Sequence, residues 1–117
     1  MREKIMKLAI DDLQAYLKVL YGGRANEQSL FMKMTEELGE VAEVLNKRAG
    51  RKACQEEDLD QELGWELTDA IHYAVAIAAI HDIPLNDIII SKDKAASVKY
   101  GHDIDLESFL KSRTENG

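Results

Sequence analysis

The sequence predicts an all-α fold, a four-helix bundle with a short C-terminal helix. Three observations carry this. Apolar residues recur every three or four positions, no stretch alternates as a strand does, and the breaks between periodic segments are short enough to favour antiparallel neighbours. With 117 residues the chain reads as a single domain, 1–117, long enough to bury roughly two thirds of the surface its unfolded form exposes.

The first helix is expected from Ile10 or Asp11 to Tyr21, with Leu13, Tyr16, Leu17 and Leu20 on one face. Asp11 and Asp12 suit the positive end of its dipole, and Gly22-Gly23 stops it. Ser29 is the expected N-cap of a second helix that reaches Ala49 and halts at Gly50. Its core-facing stripe is read as Phe31, Met34, Leu38, Val41, Ala42 and Leu45, with Glu37 at the edge. From Arg51 to Leu59 the composition turns charged and irregular, which predicts a flexible loop rimming the site. Asp58 or Asp60 caps a third helix running through Trp65 to His81. Its run from Ala70 to Ile80 is apolar all round, the mark of a buried helix. His81, near the end, suits the helix dipole. Pro84 opens a fourth helix that ends at Tyr100 before Gly101. Asp105 caps a last one, Leu106 to Lys111, with Phe109 and Leu110 packing inward, and Ser112 to Gly117 are expected to fray.

Function is concentrated in two acidic clusters. Thr35-Glu36-Glu37-Leu38-Gly39-Glu40 sets Glu37 and Glu40 one turn apart on one helical face, with Glu36 beside Glu40. Glu66-Leu67-Thr68-Asp69 repeats the spacing on the third helix, on the face that carries Tyr73, Ile77 and Ile80. A single helical Glu is usually solvated, but four carboxylates sharing an apolar setting repel one another and raise each other's pKa. A divalent cation resolves the conflict, and an all-oxygen donor set favours Mg²⁺ or Mn²⁺ over zinc or copper. Lys33, one turn before Glu37, either contacts a metal-bound phosphate or pairs with Glu37. Lys92 and Lys99, seven apart on the fourth helix, are a second candidate phosphate-binding pair.

Composition excludes several classes. A net charge of −7 argues against a nucleic-acid polymer as partner, since such binding draws on a basic surface. The single cysteine, Cys54, cannot form an internal disulfide and is read as incidental rather than nucleophilic. The N-terminus has no signal-like apolar core, and the longest apolar run is too short to span a bilayer. No membrane is expected as a partner, and the expected location is cytoplasmic.

Glu36-Glu37-Leu38-Gly39-Glu40 followed by Glu66-Leu67-Thr68-Asp69 resembles the EExxE and ExxD signature of the MazG-like nucleotide pyrophosphohydrolases, over roughly Ser29 to Tyr100. These stand with dimeric dUTPases and phosphoribosyl-ATP pyrophosphohydrolases in the all-α NTP pyrophosphatase group. The resemblance implies a Mg²⁺-dependent enzyme that splits a nucleoside triphosphate between its α and β phosphates, in a role such as nucleotide-pool cleansing. It implies that Glu37, Glu40, Glu66 and Asp69 hold metal and that Glu36 orients or deprotonates the attacking water. It also implies a homodimer or homotetramer. Lys92, Lys99 and Tyr100 match the pattern farther along, but Ala96 stands where many relatives carry Asn, which leaves the sugar and phosphate contacts open. Base recognition would fall to Asn26, Phe31 or Trp65.

Three other readings share these residues. A phosphoribosyl-ATP pyrophosphohydrolase would differ in substrate alone. A di-iron carboxylate bundle is suggested by Asp69 and His72 but lacks a second Glu-x-x-His. A non-catalytic, metal-stabilised helical interaction module would bind the cation without hydrolysing a nucleotide.

Overall fold

The computed structural model describes residues 5–50 and 58–116. Among the described residues it holds five helices and no strand: α1 (Ile10–Tyr21), α2 (Glu27–Arg48), α3 (Leu59–Ile80), α4 (Leu85–Tyr100) and α5 (Leu106–Asn116). The chain forms two compact units, Met1–Ile83 with α1 to α3 and Pro84–Gly117 with α4 and α5. Cys54 and most of the expected rim loop lie outside the described residues.

In the first unit α3 packs against both α1 and α2. Each pairing is antiparallel, as the end-to-end contacts require. Glu27 at the start of α2 meets His81 at the end of α3 (2.9 Å), while Lys47 at the end of α2 meets Glu62 near the start of α3 (3.4 Å). Arg48 adds an ion pair with Asp60. On the other flank Gln14 donates to the Ile83 carbonyl (2.6 Å) and Lys18 pairs with Asp82 (3.3 Å), whereas Tyr21 reaches back to His72.

Side-chain caps set two of the starts in this unit. Asn26, rather than Ser29, caps α2: its Oδ1 accepts from the Ser29 amide at 2.8 Å, so the helix begins one turn early. Asp58 caps α3 by accepting from the Gln61 amide at 3.0 Å. That helix ends in a Schellman turn, with the Ile83 amide bonding the Ala78 carbonyl at 3.0 Å and Asp82 at φ 54°. Asp tolerates this left-handed position better than most residues, and pairing with Lys18 helps hold it there.

The core of the first unit is small. Leu17 of α1, Leu30 and Val44 of α2, and Val75, Ala76, Ala78 and Ala79 of α3 are buried. Two expectations fail here. The buried stripe of α2 runs Leu30, Met34, Glu37, Val41, Val44, with Glu37 in its middle rather than at its edge, while Phe31, Leu38 and Leu45 are about half exposed. Both sets repeat at seven-residue spacing, so periodicity alone does not choose between them. Nor is α3 buried all round. Val75, Ala76, Ala78 and Ala79 are buried, but Ala74 is exposed and Leu67 and Ile71 stay half exposed.

In the second unit, Gly101 at φ 68° terminates α4, and the His102 amide bonds the Ser97 carbonyl at 2.9 Å. Ser97 Oγ donates to the Ile104 carbonyl (2.9 Å), tying the turn to the helix. Asp93 of α4 accepts from the Leu106 amide (2.6 Å) and Asp105 from the Ser108 amide (2.8 Å), so α5 starts with a double acceptor cap. Lys94 and Glu107 bridge the two helices at 2.8 Å. So anchored, α5 continues to Asn116, five residues beyond the expected Lys111. Phe109 and Leu110 are partly exposed, and Arg113 stacks over the Phe109 ring.

Leu17 is the one large side chain fully enclosed among the described residues. Leu17→Ala is expected to cost about 2–5 kcal/mol of unfolding free energy, since the cavity it leaves has nowhere to collapse. Urea unfolding followed by circular dichroism measures this, and a loss under about 1 kcal/mol would contradict the packing.

Candidate metal centre

Midway along the seam between α2 and α3, between the polar pairs at its two ends, Glu37 and Glu66 face the partner helix, with Glu40 beside them. One carboxylate oxygen from each of the three lies within 4.8 Å of the other two. Glu37 and Glu66 are half-buried and Glu40 is exposed, so the group opens to solvent on the Glu40 side. The cause is local. Glu37 and Glu40 are one turn apart on α2, and antiparallel pairing sets Glu66 of α3 opposite them.

The electrostatics are those of an anion cluster awaiting compensation. A hydrogen bond to Glu40 is the largest influence on Glu66, followed by burial, and together with the neighbouring charges they push its carboxyl up to about 7. Glu37 is also raised, first by burial and then by the Glu40 charge, with Asp69 adding a smaller push. A proton held on Glu66 does part of the work that a cation would do completely. It does not suffice for every oxygen: Oε2 of Glu37 and Oε2 of Glu66 are buried with no hydrogen-bond partner. A buried carboxylate oxygen without a donor is costly. Two such atoms on members of one group, in an all-oxygen donor set, fit a hard divalent cation.

The other expected site residues fall as follows. Asp69 is exposed and stands outside the tight group, although its charge reaches Glu37. At about 300° from Glu66 on the helix wheel it sits at the solvent edge of the seam. Glu36 is exposed and paired with Lys33 at 3.5 Å; of the two roles open to Lys33, phosphate contact or pairing with Glu37, the second gives way to this pair. Asn26 is occupied as a helix cap. Phe31 lines a separate apolar groove of about 560 Å³ with Gln28, Met32 and Ile77. Trp65 lines a cavity of about 480 Å³ that also includes Glu66. Lys92, Lys99 and Tyr100 are exposed on α4 in the second unit, where the Lys99 ammonium lies over the Tyr100 ring at 5.3 Å.

His72 takes no part in the acid group. Its Nε2 shares a 2.7 Å hydrogen bond with the Tyr21 hydroxyl, and its ring packs edge-on to Tyr21 and Tyr73. Burial, with Tyr73 and Tyr16 nearby, pushes the Tyr21 phenol up. A di-iron site built on Asp69 and His72 therefore has no support. Lys47 and Glu62 escaped sequence reading, yet they line a cavity of about 290 Å³ with Glu40 and Glu66. The signal was available: Lys47 follows Glu40 by two helical turns, and Glu62 precedes Glu66 by one.

No family model matches the chain. The uncharacterized protein YpjD of Bacillus subtilis is 29% identical over 87 residues, spanning 74% of this chain and 78% of that protein. The crystal structure of iMazG from Vibrio DAT 722 is similar at a TM-score of 0.60 and 28% identity, over 80% of this chain and 98% of that one. The fold is therefore MazG-like, as the resemblance of the two acidic clusters to that family's signature implied. Among the described residues no single helix is long and apolar enough to cross a membrane.

Glu66, with its folded pKa near 7 against an ordinary 4.5, holds its proton more tightly folded than unfolded. The stability this contributes is complete below about pH 4.5 and is lost as the pH rises to about 7. In chelator, the melting temperature is expected to fall across that window, and Glu66→Gln is expected to flatten the fall. At pH 8, Mg²⁺ at a hundredfold excess over its Kd is expected to restore about 2.7 kcal/mol. A melting curve indifferent to both pH and Mg²⁺ would count against the site.

Proposed function

We propose that this protein is a Mg²⁺-dependent nucleotide pyrophosphohydrolase, converting a nucleoside triphosphate to its monophosphate and pyrophosphate. The observation that carries the proposal is the convergence of Glu37, Glu40 and Glu66 within 4.8 Å, with buried oxygens on two of them lacking any donor. Its support from relatives is the likeness to iMazG.

In this reading Glu37, Glu40 and Glu66 would hold the cation, with Asp69 as a further carboxylate near them. Bound Mg²⁺, or Mn²⁺ in its place, supplies charge to the phosphate oxygens and lowers the pKa of water. Glu66 would bind the cation as the deprotonated carboxylate. Glu36, on the exposed flank beside Glu40, orients the attacking water, and its ion pair with Lys33 fixes the carboxylate for that task while leaving the ammonium within reach of a phosphate. The apolar seam around Glu37 keeps bulk water from the buried side, which strengthens each of these interactions. The proposal rests on residues of α2 and α3 alone.

A homo-oligomer belongs to the same proposal. Phe31, Leu38 and Leu45 lie about 100° around α2 from Glu37, on the side away from Glu40. Leu67 and Ile71 lie about 100–140° around α3 from Glu66, on the side away from Asp69. Because the helices are antiparallel, both sets fall on one side of the pair, opposite the mouth of the acid group. Their side chains are between 44% and 54% exposed, and so contiguous an apolar surface calls for cover. A second copy of the chain is the cover we propose.

Incubation with a panel of nucleoside triphosphates and Mg²⁺ is expected to release pyrophosphate. Glu40→Gln is expected to lower kcat/KM at least about 100-fold, as loss of several kcal/mol of charge stabilisation implies. Orthophosphate in place of pyrophosphate would overturn the assigned bond, and full activity in the variant the assigned site. For the assembly, light scattering is expected to give a dimer or tetramer that Ile71→Glu converts to a folded monomer. A monomeric wild-type chain would refute the interface.

A further inference from the structure

The segment Ile5-Met6-Lys7-Leu8, which leads into α1, stands out in solvent. Ile5 is 89% exposed, Met6 93% and Leu8 71%, so nearly all of their apolar surface is left to be covered. Its exit from the helix is nevertheless fixed: Ala9 is extended (φ −94°, ψ 152°), and the Ala9 amide donates to Asp12 Oδ2 at 3.4 Å. Because α1 runs antiparallel to α3, with Gln14 at Ile83 and Tyr21 at His72, the segment leaves the first unit at the end where α2 starts and α3 finishes.

At that same end lies the apolar groove of about 560 Å³, formed by Phe31, Met32 and Ile77 and completed by Glu27 and Gln28. Segment and groove are complementary in chemistry. The groove is apolar with one carboxylate, Glu27. The segment is apolar with one cation, Lys7, and Arg2 and Lys4 precede it against a single acid, Glu3, in a chain of net charge −7. Glu27 meets His81 at 2.9 Å, but a carboxylate has about four lone-pair sites and retains capacity to accept from an ammonium as well. In an extended segment alternate side chains share a face, so Met6 and Leu8 point one way together and the long stem of Lys7 is left to reach the rim. The segment is poorly placed for the groove of its own chain. Ile77 lies about 140° around α3 from His72, which α1 touches through Tyr21. To reach it the segment would have to double back over the turn at Asp82 and Ile83, which Gln14 and Lys18 already occupy.

We propose that the segment before α1 of one copy docks in the Phe31, Met32 and Ile77 groove of a second copy, which returns the contact, so that the two chains exchange arms about a two-fold axis. Met6 and Leu8 enter the groove, and Lys7 pairs with Glu27 at its edge. The inference rests on the homo-oligomer reading above and deepens it. The exposed stripe that begins at Phe31 then extends to Met32, about 100° farther around α2, and the second copy covers both.

Two measurements on the full chain test the exchange. In the first, Cys54→Ser removes the native thiol, Leu8→Cys is placed in one preparation and Met32→Cys in another, and the two are mixed, left to exchange subunits and treated with a mild oxidant. The expected main product is a disulfide-linked pair of unlike chains, with much less linkage in either preparation alone. In the second, sedimentation gives the dissociation constant of the assembly. Met6→Asp with Leu8→Asp is expected to raise it at least about tenfold, as exposure of two apolar side chains implies. Lys7→Glu is expected to raise it less, and less still in 1 M salt. These side chains lie outside every helix and in solvent, so the circular dichroism of the variants is expected to match the wild type. Absence of the unlike pair, or an unchanged dissociation constant in the doubly substituted arm, would overturn the exchange. So would a disulfide formed within a chain carrying both cysteines and none between chains, which would seat the segment in its own groove. An assembly that Ile71→Glu dissociates but the arm variants leave intact would uphold the homo-oligomer and overturn the exchange alone, whereas a monomeric wild type would overturn both.

Discussion

Three carboxylates meeting inside an apolar helix seam are the constraint on which this protein turns. α2 and α3 have apolar side chains to bury against one another, and two of the positions in that seam are Glu37 and Glu66. Burial and mutual repulsion act against the pair, and Glu40 adds a third charge. Polar contacts at both ends of the seam, the Glu27–His81 hydrogen bond and the Lys47–Glu62 ion pair, oppose the tendency to splay. Such pairs are worth little singly. Their value here is positional, since they bracket the acids and keep them facing one another whether a proton or a cation supplies the missing positive charge.

Much of this was legible in the chain because the signals were local. Asp58, Pro84, Gly101 and Asp105 mark helix ends by chemistry that needs no tertiary information, and the Glu37 and Glu40 spacing needs only the pitch of a helix. Capping of α2 was misread because Asn26 and Ser29 are both competent caps, and the choice falls to whichever admits the longer helix. Length in α5 was missed because its acceptor Asp93 lies on the preceding helix.

The larger miss concerns which apolar stripe of α2 faces its own chain. Leu30, Glu37 and Val44 compete with Phe31, Leu38 and Leu45 at identical spacing, and hydrophobicity favours the second set, whose middle residue is Leu rather than Glu. The fold buries the less hydrophobic stripe. A charged residue is accepted in the interior, and a fully apolar stripe is left outside. That inversion makes sense where the charged seam has chemistry to perform and the apolar stripe has a partner to meet. Asp69 is the remaining difference: spacing brings it near the acid group, but only the pairing of the helices reveals that it stops at the rim.

The seven-residue repeat in the α2 seam has one more effect. Sliding α2 along α3 by a full repeat would still set apolar side chains against apolar side chains, so greasy contact alone does not fix the alignment. A slide of that size would carry Glu37 and Glu40 roughly 10 Å from Glu66 along the axis and strand each acid against aliphatic neighbours. The acids thus act as an alignment key, much as a lone buried asparagine does in a coiled coil. Whatever ion they hold also certifies that the two helices have docked in the one arrangement that can use it.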